Sequence, residues 1–219
     1  MKLRALLIGT AMMSLTVVSA KAVTPSVPPP LIAEDKILER AYYDTLSILG
    51  TPNECSDFFG GIRSVEIFNE LISKVRKVYL PSVIGIRMSG TTTNIFNMRT
   101  KSEYRLFNKV SINGNGPFYK NQLTTTQAFV PGVGRFAANT QEARVLMFLH
   151  ELGHVVKGTS GDWLLPDDGV DESKSRENTK KVEDVCGEQI KNLGKGDLLM
   201  NSDRGKFVAE KSAVADTKP

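Results

Sequence analysis

Histidine is nearly absent from this sequence. The 219 residues hold two, beside two cysteines and one tryptophan. Two histidines cannot build a three-histidine metal site, and Cys55 and Cys186, far apart and outside any CxxC spacing, make neither a disulfide-dense scaffold nor a cysteine zinc site. Charge of one sign is also lacking. The formal net charge is +4, and without Lys2 and Arg4 there remain 26 basic residues against 24 acidic ones, a balance that does not point to nucleic acid or an anionic membrane as partner. No internal repeat is visible. Gly114-Asn115-Gly116 and Gly132-Val133-Gly134 lack the glycine spacing and the following Lys-Ser/Thr of a phosphate loop, so both read as turns. With 41% hydrophobic and 24% charged residues, the chain is neither a disordered polymer nor a coiled coil, and one globular domain is expected.

What is present begins with an address. Residues 1–22 carry Lys2 and Arg4, an apolar stretch from Ala5 to Val18, and small residues at Val18-Ser19-Ala20 and Ala20-Lys21-Ala22. These are the three regions of a signal peptide, and the apolar run is too short for a stable membrane anchor. An exported protein, secreted or periplasmic, is expected. In an oxidising compartment Cys55 and Cys186 pair most simply with each other, a closure of a long loop that contributes up to about 4–5 kcal/mol in the chain-entropy model. Residues 23–32 form a Pro-rich extended leader, residues 33–193 the folded domain, and residues 194–219 a polar, loosely ordered tail.

Inside the domain, apolar spacing predicts helices over Ala33–Leu49, stopping at Gly50, and over Val65–Val78. Strands are predicted at Val83–Met88, Asn94–Met98, Tyr104–Ile112 and Ala128–Phe136, and Asn113-Gly114 is a hairpin-turn signal. Thr140 is a plausible N-cap for a helix through Ala143, Val145 and Leu149, and a last helix covers Ser175–Leu193. Helices, then strands, then helices predict an α+β domain with a small mixed or antiparallel sheet.

The chemistry concentrates in His150-Glu151-Leu152-Gly153-His154. Four residues apart on a helix, the two imidazoles lie one turn above each other, roughly 6 Å apart at Cα, on one face. Two such neutral nitrogens take two corners of a tetrahedral Zn2+. Glu151 flanks that face and is placed to accept a proton from a water activated by the ion. Both histidines of the chain fall in this frame.

The segment HELGHVV, preceded by Val145-Leu146-Met147-Phe148-Leu149, resembles the active-site helix of the zincin metallopeptidases (the HExxH pattern). The resemblance spans about residues 143–190, and Trp163–Gly169 followed by Ser175, Asn178, Thr179 and Cys186 is also similar to uncharacterised exported bacterial proteins with a HELGH helix. It implies a zincin-like α+β domain. The implied function is hydrolysis of peptide bonds in a peptide or protein substrate, with His150 and His154 on zinc and Glu151 as general base. The metzincin pattern fails, because Lys157 and Ser160 stand where a Gly and a third ligand are required.

The third ligand must therefore be an oxygen. The apolar face of the last helix runs through Thr179, Val182, Cys186 and Ile190, which turns Glu177, Glu183 and Asp184 toward solvent and leaves Asn178 and Thr179, weaker ligands, facing inward. Asp168, in the turn Pro166-Asp167-Asp168-Gly169, is the favoured ligand, with Asp167 and Asp162 as alternatives. Tyr104 and Tyr119 are candidates for stabilising an oxyanion, Trp163 for lining a groove, and a strand within Tyr104–Ile112 or Ala128–Phe136 for pairing with an extended peptide. The rival expectation is a non-catalytic protein on the same scaffold that binds a peptide or a cell-wall component.

Overall fold

The structure, a computed structural model, describes residues 30–98, 101–122, 129–158 and 160–193. The signal-peptide segment, residues 23–29 of the leader and the tail from 194 lie outside the described residues. The chain runs α1 (Pro30–Glu34), α2 (Lys36–Gly50), α3 (Glu54–Phe58), α4 (Arg63–Ser73), β1 (Val75–Val78), β2 (Ile86–Asn97), β3 (Ser102–Asn113), α5 (Gln141–Val155) and α6 (Glu172–Lys191). This is a mixed α+β domain with one three-stranded sheet, ordered β1-β3-β2, in which β1 is parallel and β2 antiparallel to β3.

The N-terminal helix is two helices, and the folded part starts earlier than the leader boundary at residue 32 implies. Proline is tolerated in a first helical turn, so α1 begins at Pro30. Ile32 is fully buried. Asp35 breaks the run because its carboxylate accepts from the backbone N–H of Ile37 at 3.1 Å and of Leu38 at 3.2 Å, capping α2. The five-residue α3 escaped the periodicity. It is held by a reciprocal cap between Asn53 and Ser56 and carries Cys55 into the core.

The second helix ends at Ser73, short of the expected Val78. The last residues, Val75-Arg76-Lys77-Val78, instead pair in parallel with Val110–Asn113. Ile86–Met88 of the first expected strand and Asn94–Asn97 of the second belong to one long strand, β2, with a register shift between Ser89 and Thr92, and residues 83–85 lie outside it. Asn113-Gly114 makes no hairpin. Asn113 accepts from Leu80 N at 2.9 Å and donates to Ser82 O at 2.9 Å, so it anchors the β1–β2 connection. Residues 129–136 form isolated bridges only, Gln122 with Phe129 and Val133 with Phe136, so no strand is present there.

A chain of aromatic contacts fixes α5 in the core. Tyr42 stacks on Phe68 at 5.9 Å, Phe68 meets Phe148 edge-on at 5.5 Å, and Phe148 meets Phe118 at 5.3 Å. Cys55 and Cys186 form the expected disulfide, which ties α3 to α6. Arg144, buried on α5, donates to Phe118 O at 2.8 Å and Asn139 O at 2.9 Å and so fastens the segment that precedes the helix. No helix among the described residues is long and apolar enough to cross a membrane.

Asp35 also accepts from Lys77 Nζ and from Tyr119 Oη, each at 2.8 Å. Burial alone raises its pKa, but the bonds from Lys77, Tyr119 and the Leu38 N–H outweigh burial and hold it below the usual 3.8. A carboxyl more acidic when folded stabilises fully above its unfolded pKa and loses that contribution as pH falls toward the folded value. Asp35→Asn keeps the cap and removes the charge. It is expected to cost about 1–2 kcal/mol in urea unfolding at pH 7, and the gap to wild type should close below pH 3.8. A gap independent of pH refutes this account.

Candidate metal centre

Thr140 starts α5 by accepting from Ala143 N at 3.2 Å. From Ala143 to Val155 every residue is buried except Glu151, which is half-buried. The helix is therefore core on nearly all sides, and Glu151 is its opening toward solvent. At its C-terminal end the two imidazoles meet, with His150 Nε2 and His154 Nε2 3.0 Å apart.

After α5 the chain doubles back. Gly158 N donates to Asp162 O at 2.8 Å, Leu164 N to Val156 O at 3.0 Å and Leu165 N to Gly153 O at 2.9 Å. Gly153 makes this crossing possible, because a Cβ there would stand 2.5 Å from the Leu165 side chain. The return delivers Pro166-Asp167-Asp168 to the end of the helix. Asp168 Oδ2 lies 3.1 Å from His150 Nε2 and 3.5 Å from His154 Nε2.

His150, His154 and Asp168 form the one group of three potential metal ligands among the described residues. Their three donor separations suit one ion. A tetrahedral zinc with bonds of about 2.0–2.2 Å spaces its ligand atoms about 3.3–3.6 Å apart, so small shifts bring all three into place. The set of two imidazoles and one carboxylate, with a fourth position open, is also the donor chemistry of catalytic zinc.

The other two aspartates go elsewhere. Asp167 pairs with Arg105 and its side chain is 65% exposed, while Asp162 sits in the exposed turn of the return segment. Glu183 departs from expectation. It is buried, and it accepts from Arg135 N at 3.0 Å and from the Arg135 side chain. Glu177 and Asp184 are exposed, as their helix face implies.

The helix behind the site supports it without supplying a ligand. Thr179 Oγ1 is 3.0 Å from His150 Nδ1, and Asn178 Nδ2 donates to Pro166 O at 2.9 Å. A proton on His150 Nδ1 donated to Thr179 leaves Nε2 with its lone pair toward the cluster, the tautomer that ligation needs. His154 Nδ1 is buried without a partner among the described residues, so only one ring is oriented from behind.

The charges reinforce one another. Burial opposes ionisation of Asp168, yet the hydrogen bonds from His150 and His154 prevail and hold its carboxyl well below the usual carboxylate range. Burial makes the His154 imidazole less basic, but Asp168 and Glu151 more than offset it, and the net shift is upward. Glu151 moves the other way from Asp168. Desolvation raises its pKa, with Asp168 adding to the rise and the two imidazoles opposing it. The pKa values of two neighbouring carboxyls are thus driven apart, Asp168 downward and Glu151 upward.

Neither tyrosine points its hydroxyl at this cluster. Tyr104 donates to Glu70 at 2.9 Å, and burial together with that bond pushes its pKa up to about 12. Tyr119 donates to Asp35, and burial with that bond raises it further still. Trp163 is half-buried and lies over the guanidinium of Arg105 at 4.4 Å and near Lys157 Nζ at 5.2 Å. Tyr104–Ile112 lies in β3, which pairs with β2 over most of its length but with β1 only at Val110–Asn113; on the β1 side Tyr104 makes an isolated bridge to Val156. Arg105 and the role of Thr179 were not foreseen. An arginine in an alternating strand carries no flag, and a threonine on an apolar face reads as packing.

Two surface hollows, of about 260 and 250 Å³, lie beside Lys74, Arg76 and Lys109 and beside Leu49, Pro52 and Ile62, and neither is lined by residues of the cluster. Comparison with known proteins gives no match, since no family model, curated protein or solved structure aligns with the chain.

Thr179→Val keeps the shape of the side chain and removes its oxygen. Zinc affinity, read by competition with a chromophoric chelator, should fall about 10–100-fold, with little change in the stability of the metal-free protein. Wild-type affinity would show that His150 needs no support from α6.

Proposed function

We propose that this protein is an exported zinc-dependent metallopeptidase with a zincin-like arrangement of its catalytic helix. The observation that carries the proposal is the meeting of His150, His154 and Asp168 beside Glu151. Export is supported by the signal-like residues 1–22 and by the disulfide, a bond that persists in oxidising compartments. An ion held by the three donors supplies Lewis acidity toward a carbonyl and toward water.

The chain's own groups do the rest. Asp168 contributes the negative charge that two neutral imidazoles lack, and its hydrogen bonds with those imidazoles favour its ionised form. Glu151 accepts the proton of the attacking water and returns it to the leaving amine. Its raised pKa makes the carboxylate a stronger base toward that proton than an ordinary one. Among the described residues no hydrogen bond is made by its carboxylate, which leaves the lone pairs available.

A second reading, a peptide- or cell-wall-binding protein without turnover, is favoured by the hydroxyls of Tyr104 and Tyr119, both committed elsewhere. Glu151→Ala separates the two. Hydrolysis of a mixed peptide library should drop by about 10²–10⁴-fold while the zinc content measured by mass spectrometry stays at one ion per chain. Undiminished hydrolysis in the variant removes Glu151 from the mechanism. A wild type that binds zinc and a peptide or cell-wall fragment without cleaving it supports the second reading, and a wild type that retains no zinc excludes the first.

A further inference from the structure

Arg105 lies in the first half of β3 with its side chain buried, and three of its donors are engaged by two other segments. Nε donates to His154 O at 2.7 Å, one Nη donates to Asp167 Oδ2 at 3.3 Å, and the other pairs closely with Asp167 Oδ1. His154 O is in the last turn of α5, where carbonyls have no partner within the helix. Asp167 immediately precedes Asp168. One planar, rigid group thus grips the backbone of one zinc-ligand residue and the neighbour of another. Trp163 and Phe107 lie against the guanidinium at 4.4 and 5.3 Å and help to hold its plane.

The bonds are not needed to neutralise Asp167, which is exposed enough to be solvated alone. What they fix is a distance. The return segment is tied to α5 at Leu164 and Leu165 and to α6 at Pro166, and the bonds from Arg105 to Asp167 are the tie next to Asp168 itself. We propose that Arg105 is a positioning residue that sets the spacing between the His150–His154 pair and Asp168 and thereby tunes metal affinity. The proposal rests on the metal site described above.

The test uses the full mature protein and two variants. Asp167→Asn removes the acceptor charge from an exposed side chain, so the fold is spared. Arg105→Lys keeps the charge and loses the fork. Zinc dissociation constants come from chelator competition, ligand geometry from the visible absorption of the cobalt-loaded protein, and folding from urea unfolding without metal. Both variants should bind zinc about 10–100-fold more weakly with an altered cobalt spectrum, and the double variant should be no weaker than the worse single one. Asp167→Glu should recover part of the affinity. The unfolding midpoint of metal-free Asp167→Asn should stay near wild type. If Asp167→Asn matches wild type in affinity and cobalt spectrum, the positioning role is overturned, whatever Arg105→Lys does to stability. Wild-type protein that binds no metal overturns the metal site together with this proposal, whereas normal wild-type binding with indifferent variants overturns the positioning role alone.

Discussion

Two ring nitrogens and a carboxylate oxygen, packed within 3.5 Å of one another at the end of a buried helix, impose the constraint that shapes the rest of the domain. Three lone-pair donors so close together repel unless something positive lies among them. A proton shared between His154 and Asp168 serves, and so does a divalent ion. Burial raises the stakes, since water cannot screen the repulsion as it would on the surface. The fold therefore spends much of its polar material holding this corner together. Where α5 runs through the core it needs no polar partners beyond its own ladder and the Arg144 anchor, and only its last turns require outside support.

That support converges from separate parts of the chain. Thr179 comes from α6 and meets His150, Asn178 from the same turn holds Pro166, and Arg105 from β3 reaches both the helix end and Asp167. The disulfide fixes α6 at Cys186, two turns beyond Thr179, to the N-terminal helices, and Phe148 fixes α5 to α2 and α4 through Phe68. Helix, sheet and return segment are thus each tied to the corner by a different kind of contact. A cluster built on one loop would fluctuate with that loop, whereas this one moves only if packed elements move.

Sequence patterns revealed the parts whose cause is local. The α5 cap at Thr140, the i,i+4 histidines and the apolar periodicity of α6 follow from neighbours in the chain and were legible. The parts decided at long range were not. Val75–Val78 continues a helical pattern, yet pairing with β3 draws it into the sheet. Asn113-Gly114 has the composition of a hairpin turn, but the side chain of Asn113 is occupied by the Leu80–Ser82 backbone and the chain leaves the sheet instead. Ala128–Phe136 has strand-forming residues, but from residue 129 onward it makes only isolated bridges and joins neither edge of the sheet. Glu183 looked solvated because helix spacing says nothing of Arg135, a residue 48 positions away. Asp168, the favoured acid, does reach the imidazoles, although the crossing at Gly153 that brings it there is recorded by no local pattern.

The same crossing explains why the third donor comes from a turn rather than from the following helix. Gly153 allows Leu165 to pass against the face of α5 just beneath His154, so the chain reaches the imidazoles before α6 begins. Asp171 then caps α6 through Ser173 and Lys174, and the inward face of that helix first meets the site at Asn178 and Thr179. With the carboxylate in the turn, α6 is left with short side chains that bond to the loop and to the back of one ring. The ligand set and its scaffold thus come from one decision about where the backbone crosses, and the chemistry of α6 follows from it.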